Sequence, residues 1–120
     1  MAKSIRAEKV SAEILKLLSQ ILRDEVRDER VKEHFGSILS VDVTGDLRHA
    51  TIKVSVLGDD DEKDAFMEGL QSAKGFMRSE LGKRLRLRSV PDLHFKLDRG
   101  IEEGSKMLAY IDQLKAEGKF

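Results

Sequence analysis

The sequence predicts an α+β fold, a two-layer sandwich in which a three-stranded mixed sheet packs on helices. Three observations lead there. The N-terminal segment carries apolar residues at helical spacing, and three later segments alternate apolar and polar residues with a period of two. A long helical stretch separates the second and third of those strands, enough for a crossover that makes them parallel and adjacent. Amphipathic strands and amphipathic helices bury their apolar faces against one another as two layers. The predicted order is α-β-β-α(kink)α-β.

The first helix is marked by Val10, Ile14, Leu17, Leu18 and Ile21. Ser4 is placed to cap it, and the pattern runs to about Glu25 or Arg27. Arg6, Lys9, Glu13, Lys16, Gln20 and Arg23 form a mostly basic stripe roughly 120° from the apolar one. The segment "DEVRDERVKEHFG" is charged and aperiodic, so it reads as a connector with a short turn of helix, ended by Gly36.

"SILSVDVT" turns Leu39, Val41 and Val43 to one face, and "HATIKVSVL" does the same with Ala50, Ile52, Val54 and Val56. The intervening "GDLR" suits a tight connection, so the pair reads as a hairpin. Asp60, Asp61 and Glu62 then suit a helix start, where carboxylates accept from free N–H groups and complement the helix dipole. Phe66, Leu70 and Ala73 mark its buried side. The pattern resumes beyond Gly75 as Met77, Leu81 and Leu85, and Pro91 closes the helical stretch. "DLHFKLD" points Leu93, Phe95 and Leu97 inward as the third strand. Residues 1–100 form the domain on this reading. Residues 101–120 form a C-terminal tail, with Met107, Ile111 and Leu114 at the spacing of a short helix.

Composition excludes several classes. There is no Cys in the 120 residues, so disulfide frameworks and cysteine metal sites are unavailable. No apolar run reaches the roughly 18 residues of a membrane span, and no h-region follows the N-terminal charges. The expectation is a cytoplasmic protein with no membrane partner. The formal net charge is zero, yet it is segregated. "DDDEKD" at 59–64 holds five acids and one base, while 74–88 holds six bases and one acid. Separated charge of this kind produces a local field even when the total vanishes; ordinary solvated faces are the alternative.

The basic segment contains Lys74, Arg78, Lys83, Arg84, Arg86 and Arg88. Gly inside a helix costs on the order of 1 kcal/mol relative to Ala. Ala73 and Gly75 have small side chains, so either another helix packs closely there or the helix bends. Beyond a bend, free N–H groups would face a phosphate oxygen. The candidate phosphate-contacting surface, RNA-binding on the resemblance given below, is Ala73, Lys74, Gly75, Arg78, Lys83, Arg84, Arg86 and Arg88, with Arg6, Lys9 and Lys16 from the first helix. His34, His49 and His94 lack metal-ligand spacing, and no EF-hand, Walker or nucleophile-elbow pattern occurs. The expectation is therefore no enzyme, no metal, no cofactor and no small-molecule substrate. Phe66 and Phe95 lie on apolar faces, which argues against base stacking and for backbone recognition.

The element order resembles the type II KH fold, which binds single-stranded RNA through a GxxG loop. Here "SAKG" stands at the joint, with Ala-x-Gly in place of two glycines. Together with "AEKVSAEILKLLSQIL", "ILSVDVTGDLRHATIKVSVLG", "LGKRLRLRSVPDLHFKLD" and "IEEGSKMLAYIDQL", it resembles the ribosome-binding factor A family over nearly the whole chain. The resemblance implies a monomeric, non-enzymatic assembly factor that binds the free, immature small (30S) ribosomal subunit and 16S rRNA. It implies a role in maturing the 5′ region of that RNA, especially in the cold, with the kink at Ala73, Lys74 and Gly75. A KH-like protein-interaction module without RNA contact is the alternative reading.

Overall fold

The computed structural model describes residues 4–99. The Ser4 side chain accepts from the Ala7 amide at 3.1 Å and starts α1, Ile5–Asp24. This removes one of the unpaired donors at the helix start. Ala7, Val10, Ile14, Leu18, Ile21 and Leu22 form its buried face. Ser11 lies on the same face. Its hydroxyl donates to Ala7 O at 2.8 Å and accepts from Val43 N–H at 3.0 Å, pinning the helix to the first strand.

Asp28 then caps a single helical turn, α2 (Glu29–Lys32), as the connector reading expects. Gly36 does not end that turn; it lies inside β1, Phe35–Val43. The Phe66 ring packs directly over it, so a glycine that reads as a breaker provides close approach instead.

β1 pairs antiparallel with β2, His49–Leu57, and β2 pairs in parallel with β3, Asp92–Leu97, in the order β1-β2-β3. Ala50, Ile52, Val54 and Val56 are buried, as their alternation predicts. In β1 the register shifts between Ile38 and Ser40. That bulge turns Leu39 outward, 48% exposed, while Ile38 packs against the core. The expected inward Leu39 is thus corrected, because an extra residue in one strand inverts the alternation. At the hairpin turn the left-handed position is taken by Leu47 (φ 62°), whose side chain packs against the core.

α3 spans Asp60–Arg84, starting from a reciprocal capping box between Asp59 and Glu62. It ends at Leu85, which is extended and still buried. Helix α1 packs mainly on β1, whereas α3 packs on β3 and β2 and also against α1 and α2. Between the layers Phe66, Ile14, Leu18, Ile21, Ile52, Leu70, Met77, Leu81 and Leu93 are fully enclosed. Phe95 is only half-buried, at the core's margin. The proposed tail, 101–120, lies outside the described residues.

Candidate nucleic-acid interface

Gly75 falls within the unbroken span of α3. The expected joint between two helices is therefore corrected: α3 runs on through Gly75 without a new helix start at that position, so no set of free N–H groups is offered there to a phosphate. Apolar packing on both sides of the position explains the continuity, since Leu70, Met77 and Leu81 share one buried face. A Cβ built on Gly75 meets nothing within 4 Å. Among the described residues the glycine therefore does not serve close packing. It leaves a low spot on the outward face of α3.

The two flanks of α3 differ. Gly75, Arg78, Ser79 and Gly82 line a shallow, open recess of about 360 Å³ with Val90. Among the described residues no carboxylate lines it, and one guanidinium, that of Arg78, does. On the other flank Ser72, Ala73 and Phe76 line a larger recess of about 670 Å³, together with Asp24, Glu25, Arg27, Asp28 and Glu80. Ala73, expected beside phosphate, thus faces a wall rich in carboxylates. Close approach of an anion is favoured on the Gly75 side.

Several expected cations already have partners. Lys74 Nζ lies 3.7 Å from Asp92 Oδ1. Arg78 donates to Val90 O at 2.8 Å and to Pro91 O at 3.4 Å, tying the loop before β3 to the helix. Lys83 pairs with Glu80 at 3.0 Å. Arg84 reaches across to Glu25 at 2.5 and 2.6 Å, and hydrogen bonding to that carboxylate raises its pKa. These four were expected as an undivided binding surface; in the fold Lys74, Arg78 and Arg84 also hold α3 to its neighbours, while Lys83 pairs within the helix. Arg86 and Arg88, in the loop after α3, are exposed and have no hydrogen-bond or ion-pair partner among the described residues. The same holds for Arg6, Lys9 and Lys16 on the outer side of α1. These unpaired cations come from two elements, α1 and the loop after α3.

The fold also assembles something the sequence does not display. His49 and His94, 45 residues apart, meet with Nδ1 and Nε2 at 3.1 Å, and Asp92 stands beside them. No linear spacing signals this; only the β2–β3 register does. His34 is elsewhere, with its Nδ1 2.6 Å from Arg30 O.

The topology defines a KH-like α+β domain, a three-stranded mixed sheet packed on helices. The chain belongs to the ribosome-binding factor A family, whose profile matches residues 6–111. It is 46% identical over 115 residues to ribosome-binding factor A of Synechococcus sp. (strain CC9902), covering 96% of this chain and 86% of the relative. It is also similar to the solution structure of a Thermotoga maritima protein described as a ribosome binding factor A. The TM-score there is 0.71 at 38% identity, covering 85% of this chain and 95% of the other. A third match shares the fold at 20% identity and a TM-score of 0.59, covering 73% and 90%. It is a homology model of Thermus thermophilus ribosome binding factor A, as fitted into the cryo-EM map of a 30S complex with that factor.

Proposed function

We propose that this protein binds the small ribosomal subunit as an assembly factor. Its rRNA-facing side is the helical layer: the Gly75–Gly82 face of α3, the loop bearing Arg86 and Arg88, and Arg6, Lys9 and Lys16 of α1. The carrying observation is family membership over residues 6–111, and the 30S complex of the Thermus thermophilus protein names the kind of partner. Unpaired cations and a recess with no carboxylate among its described lining residues support contact with phosphates, because charge and shape are both available there. The reading is non-catalytic and requires no cofactor or small-molecule substrate.

On the same reading the protein acts as a cytoplasmic monomer and assists maturation of the 5′ region of 16S rRNA, with greatest effect in the cold. No helix among the described residues is long and apolar enough to cross a membrane.

Sedimentation with small subunits, large subunits and whole ribosomes at several salt concentrations tests the binding. Binding confined to small subunits, with log affinity falling linearly in log salt, is expected. Salt-insensitive binding would move the contact to a protein surface. Primer extension on 16S rRNA from cells lacking the protein, grown cold and warm, tests the maturation step. Unextended, mature 5′ ends at both temperatures would remove that role.

A further inference from the structure

We propose that His49, His94 and Asp92 form a binding site for a borderline first-row divalent cation of the zinc type. His49 and Asp92 are register partners across the parallel β2–β3 pair, and His94 follows two residues along β3. All three side chains therefore leave the sheet on its face opposite the helices, where Ala50 and Leu93 point the other way into the core. Strand positions hold such groups more rigidly than a loop would.

The distances fit a shared cation. His49 Nδ1 and His94 Nε2 are 3.1 Å apart, and His94 Nε2 is 3.6 Å from Asp92 Oδ2. One donor atom from each residue lies within 4.8 Å of the other two. Zinc–ligand bonds near 2.0–2.1 Å in tetrahedral array place neighbouring donors about 3.3 Å apart. The two ring nitrogens are thus already at the separation that a common metal imposes.

Further interactions orient the ligands. Lys74 Nζ takes the other carboxylate oxygen of Asp92, Oδ1, at 3.7 Å, which leaves Oδ2 for the cation. The His49 backbone is fixed by Thr44, whose amide donates to His49 O at 2.9 Å and whose Oγ1 accepts from His49 N–H at 3.2 Å. Two imidazoles and one carboxylate select zinc-like metals over Mg²⁺ and Ca²⁺, which prefer oxygen donors. Three protein ligands leave a coordination position for water or for a donor from a partner.

The test is calorimetric titration of the full-length chain with Zn²⁺ and separately with Mg²⁺. It is repeated on His49→Ala and His94→Ala and accompanied by NMR of the histidine ring signals. One Zn²⁺ per chain, no comparable Mg²⁺ binding, and a loss of at least about tenfold in affinity in each variant are expected. In the unaltered protein the His49 and His94 ring signals should shift while those of His34 stay in place. Absence of stoichiometric Zn²⁺ binding overturns the site. So does binding that survives either substitution, or ring shifts confined to His34. Because the NMR readout uses the unaltered protein, it decides the matter even if a variant folds poorly.

Discussion

A methyl group added to Gly36 would stand 2.6 Å from Cε2 of Phe66 and closer still to Cζ. Phe66 is 1% exposed and belongs to the packed core, so its ring must be displaced to admit the methyl group. Gly36→Ala is therefore expected to destabilise the fold by about 1–3 kcal/mol, the range for overpacking a filled core, as measured by denaturant unfolding. Gly75 is in the opposite situation, with open space around it inside a helix. Gly75→Ala should stabilise the protein by up to about 1 kcal/mol through helix propensity alone. If a phosphate backbone approaches this spot, the same variant should bind small subunits more weakly while melting at a higher temperature. Unchanged binding would take Gly75 out of the interface. Both glycines are visible in the sequence, but their meanings are not, since each depends on what packs above it from a distant segment.

At the scale of elements, α2 is too short to persist without its ties. Asp28 accepts from the Arg30 amide at 2.9 Å and pairs with the Arg30 guanidinium at 2.8 Å. The Arg30 side chain in turn reaches Ser72 on α3 at 2.9 Å. Hydrogen bonding to the Arg30 side chain is the largest influence on Asp28 and lowers its carboxyl pKa. Partial burial opposes that, while the backbone hydrogen bond and the charge of Arg30 reinforce it. A carboxylate lowered in the folded state stabilises the fold above its unfolded pKa. That contribution is lost as pH falls toward the folded value. Asp28→Asn keeps a capping side chain but removes the charge. It is expected to lower the melting temperature at neutral pH, with the difference narrowing on acidification through the range below about pH 4. A pH-independent difference would assign the effect to capping geometry instead. The elements themselves are largely legible, because period and capping residues are local. Leu39 is not, because a bulge depends on how two strands settle against each other.

Across the whole molecule, cations that hold the fold together are separate from cations left free. Arg84 joins the end of α3 to Glu25 after α1, so Arg84→Ala is expected to lower stability and to weaken binding only through folding. Arg86 and Arg88 have no such partner among the described residues. The double variant Arg86→Ala, Arg88→Ala should change stability by less than about 0.5 kcal/mol. It should weaken subunit binding and reduce the magnitude of the log–log salt slope by roughly one for each phosphate no longer neutralised. Sedimentation at graded salt alongside thermal melting separates the two effects. An unaltered slope would exclude this loop from the RNA surface. The surplus of positive charge between residues 74 and 88 can be read directly. Which members of it are already engaged cannot, because Glu25, Asp92, Val90 and Pro91 become neighbours only on folding.

The chain's periodicities determined the strands and most helix positions, because those depend on side chains spaced within one element; the order of elements determined the parallel crossover, and the matching stretches carried the family resemblance. Only the tertiary structure decided that α3 continues through Gly75, that Ala73 borders carboxylates, and that two distant histidines share a strand pair with Asp92. Those outcomes depend on which surfaces face each other once the layers close. A linear spacing does not encode such pairings, since they form between residues tens of positions apart.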